Sequence, residues 1–278
     1  MKKKILITGV NGFIGRNLYS NLKEEYNVIG IARNAKEVNG IFNIDLLNEK
    51  LLLNFIKSEK IDVIIHTASE MASSENIKDI NIFHRNNQIS INLINALEDE
   101  KNLHLINFSS SSVYPNNSGL YSEKSSINPS KNSDCLYGLS KFNSEILFNY
   151  LLNSIDKSIS ITNLRIPMVY GDDMNENRIH KVFEKELLAK NSITTWGGGD
   201  RIISHIEIND LCKQVSQLIT QNIYGTYNAI GESISLLNLA QRIITEKGNA
   251  NSRIIKEAKG NKFEFKLDGS SLKKILND

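Results

Sequence analysis

Short apolar runs rich in Ile, Val and Leu alternate, through the first two thirds of the chain, with longer stretches whose apolar residues recur every three or four positions. The short runs read as strands buried on both faces and the longer ones as amphipathic helices, so their alternation predicts a parallel sheet covered on both sides. Strands are expected at Lys4 to Thr8, Asn27 to Ala32, Ile41 to Ile44, Asp62 to His66, Leu103 to Phe108 and Ser160 to Leu164. Between them, Leu18, Leu22 and Tyr26, then Leu52, Phe55 and Ile56, then Ile89, Leu93, Ile94 and Leu97 mark core-facing helical stripes. A further helix is expected over Leu136 to Leu152, with Leu139, Phe142, Ile146 and Tyr150 on its apolar face.

After Arg165 the alternation loosens. The segment from Ile166 to about Asp200 reads as an insertion holding a loop, a charged helix near Ile179 to Leu188 and the turn Gly197-Gly198-Gly199. Gly225 to Ile230 returns as a seventh strand, and Ser233 or Ser235 introduces a helix over Ser235 to Glu246. The expected architecture is an α/β, doubly wound parallel sheet of about seven strands over residues 1–165, completed by about 201–231. A small C-terminal lobe is expected from 166–200 and 232–278.

Composition adds exclusions. Hydrophobic residues make up 40% and charged residues 23%, an ordinary globular mix, and 33 Lys and Arg against 31 Asp and Glu leave no excess for binding nucleic acid or a membrane surface. The run Lys2-Lys3-Lys4 reads as a solvated end. The basic and apolar opening is too short for a signal peptide, being broken at Thr8-Gly9, and no stretch of about 18 apolar residues predicts a membrane span. Cys135 and Cys212 make no disulfide framework, so a reducing cytosol is the expected compartment. The five histidines, at 66, 84, 104, 180 and 205, form no metal-ligand spacing, and no metal is expected.

Candidate chemistry begins at Thr8-Gly9-Val10-Asn11-Gly12-Phe13-Ile14-Gly15, which follows the first strand and opens a helix. Glycines at 9, 12 and 15 permit a tight turn, a close approach of backbone to a pyrophosphate and close helix-to-strand packing, while the helix N-terminus offers N–H groups to phosphate. This is the fingerprint of a Rossmann dinucleotide site. The second strand ends at Arg33 rather than at an acid, which favours NADP with its 2′-phosphate, NAD being the alternative. Asp45 and Leu46, at the end of the third strand, are expected near the adenine.

Tyr137 and Lys141 lie four residues apart and so share a helix face. A nearby cation stabilises a phenolate, and Lys141 is the expected source of that effect on Tyr137. The fifth strand runs into Ser109-Ser110-Ser111-Ser112-Val113-Tyr114, placing hydroxyls at the carboxyl edge of the sheet, where such folds bind ligands.

Taken together these motifs resemble the extended short-chain dehydrogenase/reductases, in the group of NAD-dependent nucleotide-sugar epimerases, dehydratases and reductases. The resemblance runs through the glycine loop, Asp45-Leu46, Ile65-His66-Thr67-Ala68, Asn87, the serine run, Tyr137-x-x-x-Lys141, Leu164-Arg165-Ile166-Pro167-x-Val169-Tyr170-Gly171 and Asp210-Leu211. It implies Ser110, Tyr137 and Lys141 as the catalytic set, with Ser109, Ser111 and Ser112 in support and Ser111, Ser112, Met168, Arg178 and Arg201 toward the substrate. It implies a cofactor lined by Gly9, Gly12, Phe13, Ile14, Gly15, Arg33, Asp45, Leu46, Thr67, Ala68, Asn87, Ser109, Tyr137, Lys141 and Pro167. The implied reaction is hydride exchange at a sugar carbon, either in a nucleotide-sugar epimerase or in a 4-keto-sugar reductase. By analogy with family members, it points to a homodimer through the helices that follow Asn87 and contain Tyr137.

The departures matter as much. Dehydratases of this group carry Asp-Glu where this chain has Ser111-Ser112, which disfavours dehydration. The usual substrate asparagine is Met168, and an expected Arg-Asp-Phe reads Ile203-Ser204-His205; Arg201 and Arg178 are candidate replacements for the missing diphosphate contact. His180 lies where some relatives carry an acid, and is expected on a helix surface. Two alternatives stay open: an NADP-dependent reductase of a small carbonyl compound, and a dinucleotide-binding regulator without turnover.

Overall fold

The computed structural model describes residues 2–38, 40–73, 75–155 and 159–277. Its elements in chain order are β1 (Lys4–Thr8), α1 (Phe13–Leu22), β2 (Asn27–Ala32), β3 (Ile41–Asn43), α2 (Glu49–Glu59), β4 (Val63–His66), α3 (Ile80–Leu97), β5 (Leu103–Ser110), β6 (Gly119–Tyr121), α4 (Cys135–Leu147) and β7 (Ile159–Ile166). There follow β8 (Met168–Tyr170), α5 (Ile179–Lys190), β9 (Ser192–Trp196), β10 (Ile202–Glu207), α6 (Ile208–Thr220), β11 (Gly225–Asn228), β12 (Glu232–Ser235), α7 (Leu236–Lys247), β13 (Arg253–Glu257), β14 (Phe265–Leu267) and α8 (Ser270–Asn277).

Seven strands form one parallel sheet in the order β11-β7-β5-β4-β1-β2-β3. The six expected strands and the returning seventh are all present. Side chains alternate across β1: Ile5 and Ile7 join a core with Leu18, Leu211 and Val215 of α1 and α6, while Leu6 joins the opposite core with Leu52 and Leu93 of α2 and α3. Chain direction along the sheet switches between β1 and β4, whose ends Thr8 and His66 lie in register. A crevice at such a switch point is where folds of this kind bind ligands.

The lobe is built from β8, β10 and β12 in one sheet and β9 with β13 in another, covered by α5 and α7. Ser235 caps α7, its hydroxyl accepting from the Asn238 N–H at 3.1 Å. Several expectations shift. β10 pairs with β8 and β12 rather than extending the large sheet, and Leu272 and Leu276 of α8 pack into the α1 and α6 core. The helix expected to reach Leu152 is α-helical to Leu147 and winds on as a π-helix over Phe148–Ile155, a turn that keeps Phe148 and Leu152 buried. Lys3 and Lys4 are tied down, Lys3 donating to the Ile219 carbonyl at 3.0 Å and Lys4 pairing with Glu59 at 2.5 Å. Among the described residues no helix is long and apolar enough to cross a membrane.

Candidate active site

The glycine loop leaves no room for side chains. Gly9 holds φ +74° with its would-be Cβ 2.8 Å from Ala68 Cα, and a Cβ on Gly15 would lie 2.3 Å from the Gly9 carbonyl oxygen. Gly12 sits at the N-cap of α1, makes no side-chain cap, and the first turn carries no acid. Its N-terminal N–H groups thus face the crevice free of local carboxylate, a cradle that fits a pyrophosphate. Thr67 and Ala68 close the other side: the Thr67 hydroxyl donates to the Thr8 carbonyl at 2.6 Å, and the Ala68 N–H to the Thr8 hydroxyl at 3.3 Å.

Ser110, Tyr137 and Lys141 come together at the carboxyl end of β5 and the first turns of α4, all three buried. α4 approaches the serine loop closely enough that a Cβ on Gly138 would stand 2.2 Å from the Ser112 carbonyl oxygen, which gives the glycine after Tyr137 its physical reason. Ser110 Oγ accepts from the Ser112 N–H at 3.1 Å, and Ser112 Oγ donates to Asp134 at 2.8 Å. Lys141 Nζ lies 5.8 Å from the Tyr137 ring centroid.

The electrostatics correct one expectation. Burial pushes the Tyr137 phenol above its ordinary range, and the nearby Asp134 carboxylate pushes the same way. The opposing influences include the Arg178 charge and the hydroxyls of Ser69 and Ser110, and burial outweighs them. Lys141 is itself held down to about 8 by burial, against the Glu145 carboxylate, which raises it. The phenol is therefore neutral at physiological pH, suited to donating its proton, while the ammonium sits close to its own titration. His66, buried beside Lys141, is lowered to about 3 by desolvation and then by the Lys141 charge.

Behind this pair runs a buried polar network. Arg165 grips Glu145 through Nε at 2.9 Å and Nη2 at 2.7 Å, and gives Nη1 to the Tyr114 hydroxyl at 2.8 Å. Ser109 donates to Glu145, and Tyr114 donates to Asn228 at 2.9 Å. Ser109, expected at the cofactor, thus has its hydroxyl engaged with the charge that faces Lys141.

Other expected residues are spread around the crevice. Arg33 is exposed just past β2. Asp45 turns its carboxylate onto the Leu47 N–H at 3.0 Å, and the carbonyl of buried Leu46 accepts from Asn92 at 2.8 Å. Phe13 and Ile14 pack against the α1 core. Asn87 accepts from Asn143 across the α3 and α4 interface at 2.8 Å, whereas its neighbour Asn86 is the buried one, donating to the Glu70 carbonyl and to Ser140. Pro167 packs beside Gly231, and Ser111 opens the short turn Ser111–Val113.

In the lobe, Met168 and Ile203 are absorbed into the apolar core with Phe183 and Leu187. Arg201 offers its carbonyl to Leu236 at 2.9 Å at the start of α7. His180 is not on a surface: it is 5% exposed, hydrogen-bonded to His205 at 2.9 Å, with Tyr170 stacked over both rings. Arg178, two residues earlier at the N-cap of α5, is the residue whose charge reaches Tyr137. A separate cleft of about 530 Å³ between α1, α5, α6 and α7 is lined by Tyr170, His180, His205 and Arg242, among others, and not by Ser110, Tyr137 or Lys141.

Sequence reasoning missed Asp134, Glu145, Ser69 and Asn86. Glu145 had a legible signal, lying one turn beyond Lys141 on the same face. Asp134 had a weaker one, an N-cap residue type just before the helix.

Residues 5–229 match the family described as NAD dependent epimerase/dehydratase. The chain is 29% identical over 211 residues to the GDP-L-colitose synthase of Yersinia pseudotuberculosis, covering 71% of this chain and 66% of that protein. It is 28% identical over 273 residues to the dTDP-D-glucose 4,6-dehydratase of Dictyostelium discoideum, covering 87% of this chain and 62% of that one. It thus spans about two thirds of the length of these curated relatives. Its fold matches the crystal structure of UDP-N-acetylglucosamine 4-epimerase from Bacillus cereus with a TM-score of 0.81 at 23% identity, over 99% of this chain and 90% of that one.

Proposed function

The chain belongs to the NAD dependent epimerase/dehydratase family, and from that premise we propose that it is an NAD(P)-dependent nucleotide-sugar epimerase or 4-keto-sugar reductase. The observation that carries the reading is the meeting of Ser110, Tyr137 and Lys141 at the carboxyl edge of the sheet that also carries the glycine loop. When bound, the nicotinamide dinucleotide supplies the hydride donor or acceptor. Tyr137 carries the proton to or from the sugar oxygen, Ser110 orients that oxygen, and Lys141 fixes the cofactor ribose. A neutral phenol is in the protonation state that donates to a ketone oxygen when a ketone is reduced.

Tyr137, Lys141 and Ser110 are all retained, which weighs against a regulator without turnover. A small carbonyl substrate is the second reading, favoured by Met168 and Ile203 being spent on apolar packing where nucleotide-sugar enzymes place polar contacts. Incubation with a panel of nucleotide sugars and 4-keto nucleotide sugars, followed by NMR, is the deciding test. Conversion of a 4-keto sugar with NADPH supports the reductase, interconversion without added cofactor supports the epimerase, and silence across the panel overturns both.

NADP is favoured by Arg33, exposed past β2 with no acid beside it. Fluorescence titration is expected to show tighter binding of NADPH than NADH, and Arg33→Asp to reverse the order through repulsion of the 2′-phosphate. Equal affinities in the wild-type protein would remove this role. A homodimer through α3 and α4 fits the apolar residues these helices leave exposed, Ile91, Leu139 and Ile146 among them.

A further inference from the structure

We propose that Asp134 is a second proton acceptor of this site, removing the hydrogen from the carbon next to a sugar ketone while Tyr137 and Ser110 hold the ketone oxygen. The proposal rests on the nucleotide-sugar reading above. Asp134 occupies the N-cap position of α4, where an aspartate ordinarily accepts from the N–H groups of the first turn, yet its side chain makes no such bond. Its Oδ2 instead accepts from Ser112 Oγ at 2.8 Å. Ser112 in turn donates its N–H to Ser110 Oγ, so the carboxylate, the two serines and the Tyr137 phenol form one contiguous polar set.

Two further observations place Asp134 in the site rather than at its edge. α4 and the serine loop are pressed together at Gly138, which fixes the carboxylate against that loop. Asp134 is partly exposed while Ser110 and Tyr137 are buried, so a ligand can reach it, and its charge acts on Tyr137. The sequence lacks carboxylates at Ser111 and Ser112, and the fold returns one to Ser112 from a different element.

The C–H bond beside the ketone breaks and its proton forms an O–H bond on the Asp134 carboxylate. The electron pair left on carbon forms the C=C bond of an enolate as the carbonyl π pair moves to oxygen, where Tyr137 and Ser110 donate hydrogen bonds. Return of a solvent-derived proton to that carbon restores the ketone, with retained or inverted configuration.

The experiment uses the full chain and a GDP- or dTDP-linked 4-keto-6-deoxyhexose in D2O without added cofactor, read by proton NMR and mass spectrometry. Wild-type protein is expected to place deuterium on a carbon adjacent to the ketone well above the buffer rate. Asp134→Asn keeps the shape and a bonding partner for Ser112, and is expected to slow exchange by about 100-fold or more. Its NADPH-dependent reduction of the same sugar is expected to fall at least about tenfold less than the exchange does. Ser112→Ala, which leaves the carboxylate unanchored, is expected to show a smaller loss of exchange.

Equal losses of exchange and reduction in Asp134→Asn, or exchange at the wild-type rate, would show a purely structural role and overturn the proposal. Wild-type reduction without exchange would overturn it while leaving the redox reading intact. Neither reduction nor exchange would overturn the redox reading itself, and the proposal with it.

Discussion

Tyr137→Phe is expected to lower turnover about 10²- to 10⁴-fold while leaving the fold and dinucleotide binding in place. The substitution removes one hydroxyl from a buried ring and opens no large cavity, so circular dichroism and melting temperature serve as the control. Residual turnover within about tenfold of wild type would dismiss Tyr137 as the proton carrier. The pH dependence adds a signed test. Lys141 is charged below about 8 and neutral above it, so kcat/KM is expected to fall on the alkaline side through about 8. The phenol, held above its ordinary range, remains protonated through that interval and contributes no limb there. A profile flat from about pH 7 to 9.5 would remove the ammonium from the mechanism.

The sheet was legible because its signals are local. Runs such as Ile5-Leu6-Ile7 and Val63-Ile64-Ile65 are too apolar to tolerate solvent on either face, and the helical stripes between them have nowhere else to pack. The glycine loop was legible because steric exclusion at Gly9 and Gly15 leaves few alternatives. The meeting of Ser110 with Tyr137 was also within reach, since β5 and the following helix must converge at the carboxyl edge of such a sheet.

What escaped depended on distance in sequence or on balance between opposing effects. The spacing of Tyr137 and Lys141 gives no measure of burial, and burial decides the sign of the tyrosine shift. His180 carries a helical-surface pattern within α5, yet His205 comes from a strand 25 residues away and encloses it. β10 has the same apolar character as a sheet strand, and only its pairing with β8 and β12 assigns it to the lobe. Asp134 reads as a helix cap; the serine that diverts it lies 22 residues upstream.

The largest stability effect is expected at the Glu145 and Arg165 pair, whose side chains are 4% and 6% exposed. Removing one partner strands the other charge in a low-dielectric interior, so Glu145→Ala is expected to cost about 3–5 kcal/mol and to lower the melting temperature by roughly 10 °C. The loss exceeds that of the ion pair alone, because Ser109 gives up its acceptor and Arg165 also anchors Tyr114. Replacing both partners by apolar residues, Glu145→Leu with Arg165→Met, is expected to recover part of the stability, since Arg165 is no longer stranded while Lys141 still lacks its carboxylate. Activity should not recover with it. The Glu145 carboxylate raises Lys141, so its removal lets burial act unopposed and moves the alkaline limb below about 8, in Glu145→Gln as well as in the double variant. Chemical denaturation measures the first effect and the pH profile the second. If Glu145→Ala costs less than about 1 kcal/mol, the pair is not the buried support assigned here, and an unmoved limb in Glu145→Gln would separate Glu145 from the lysine that it faces.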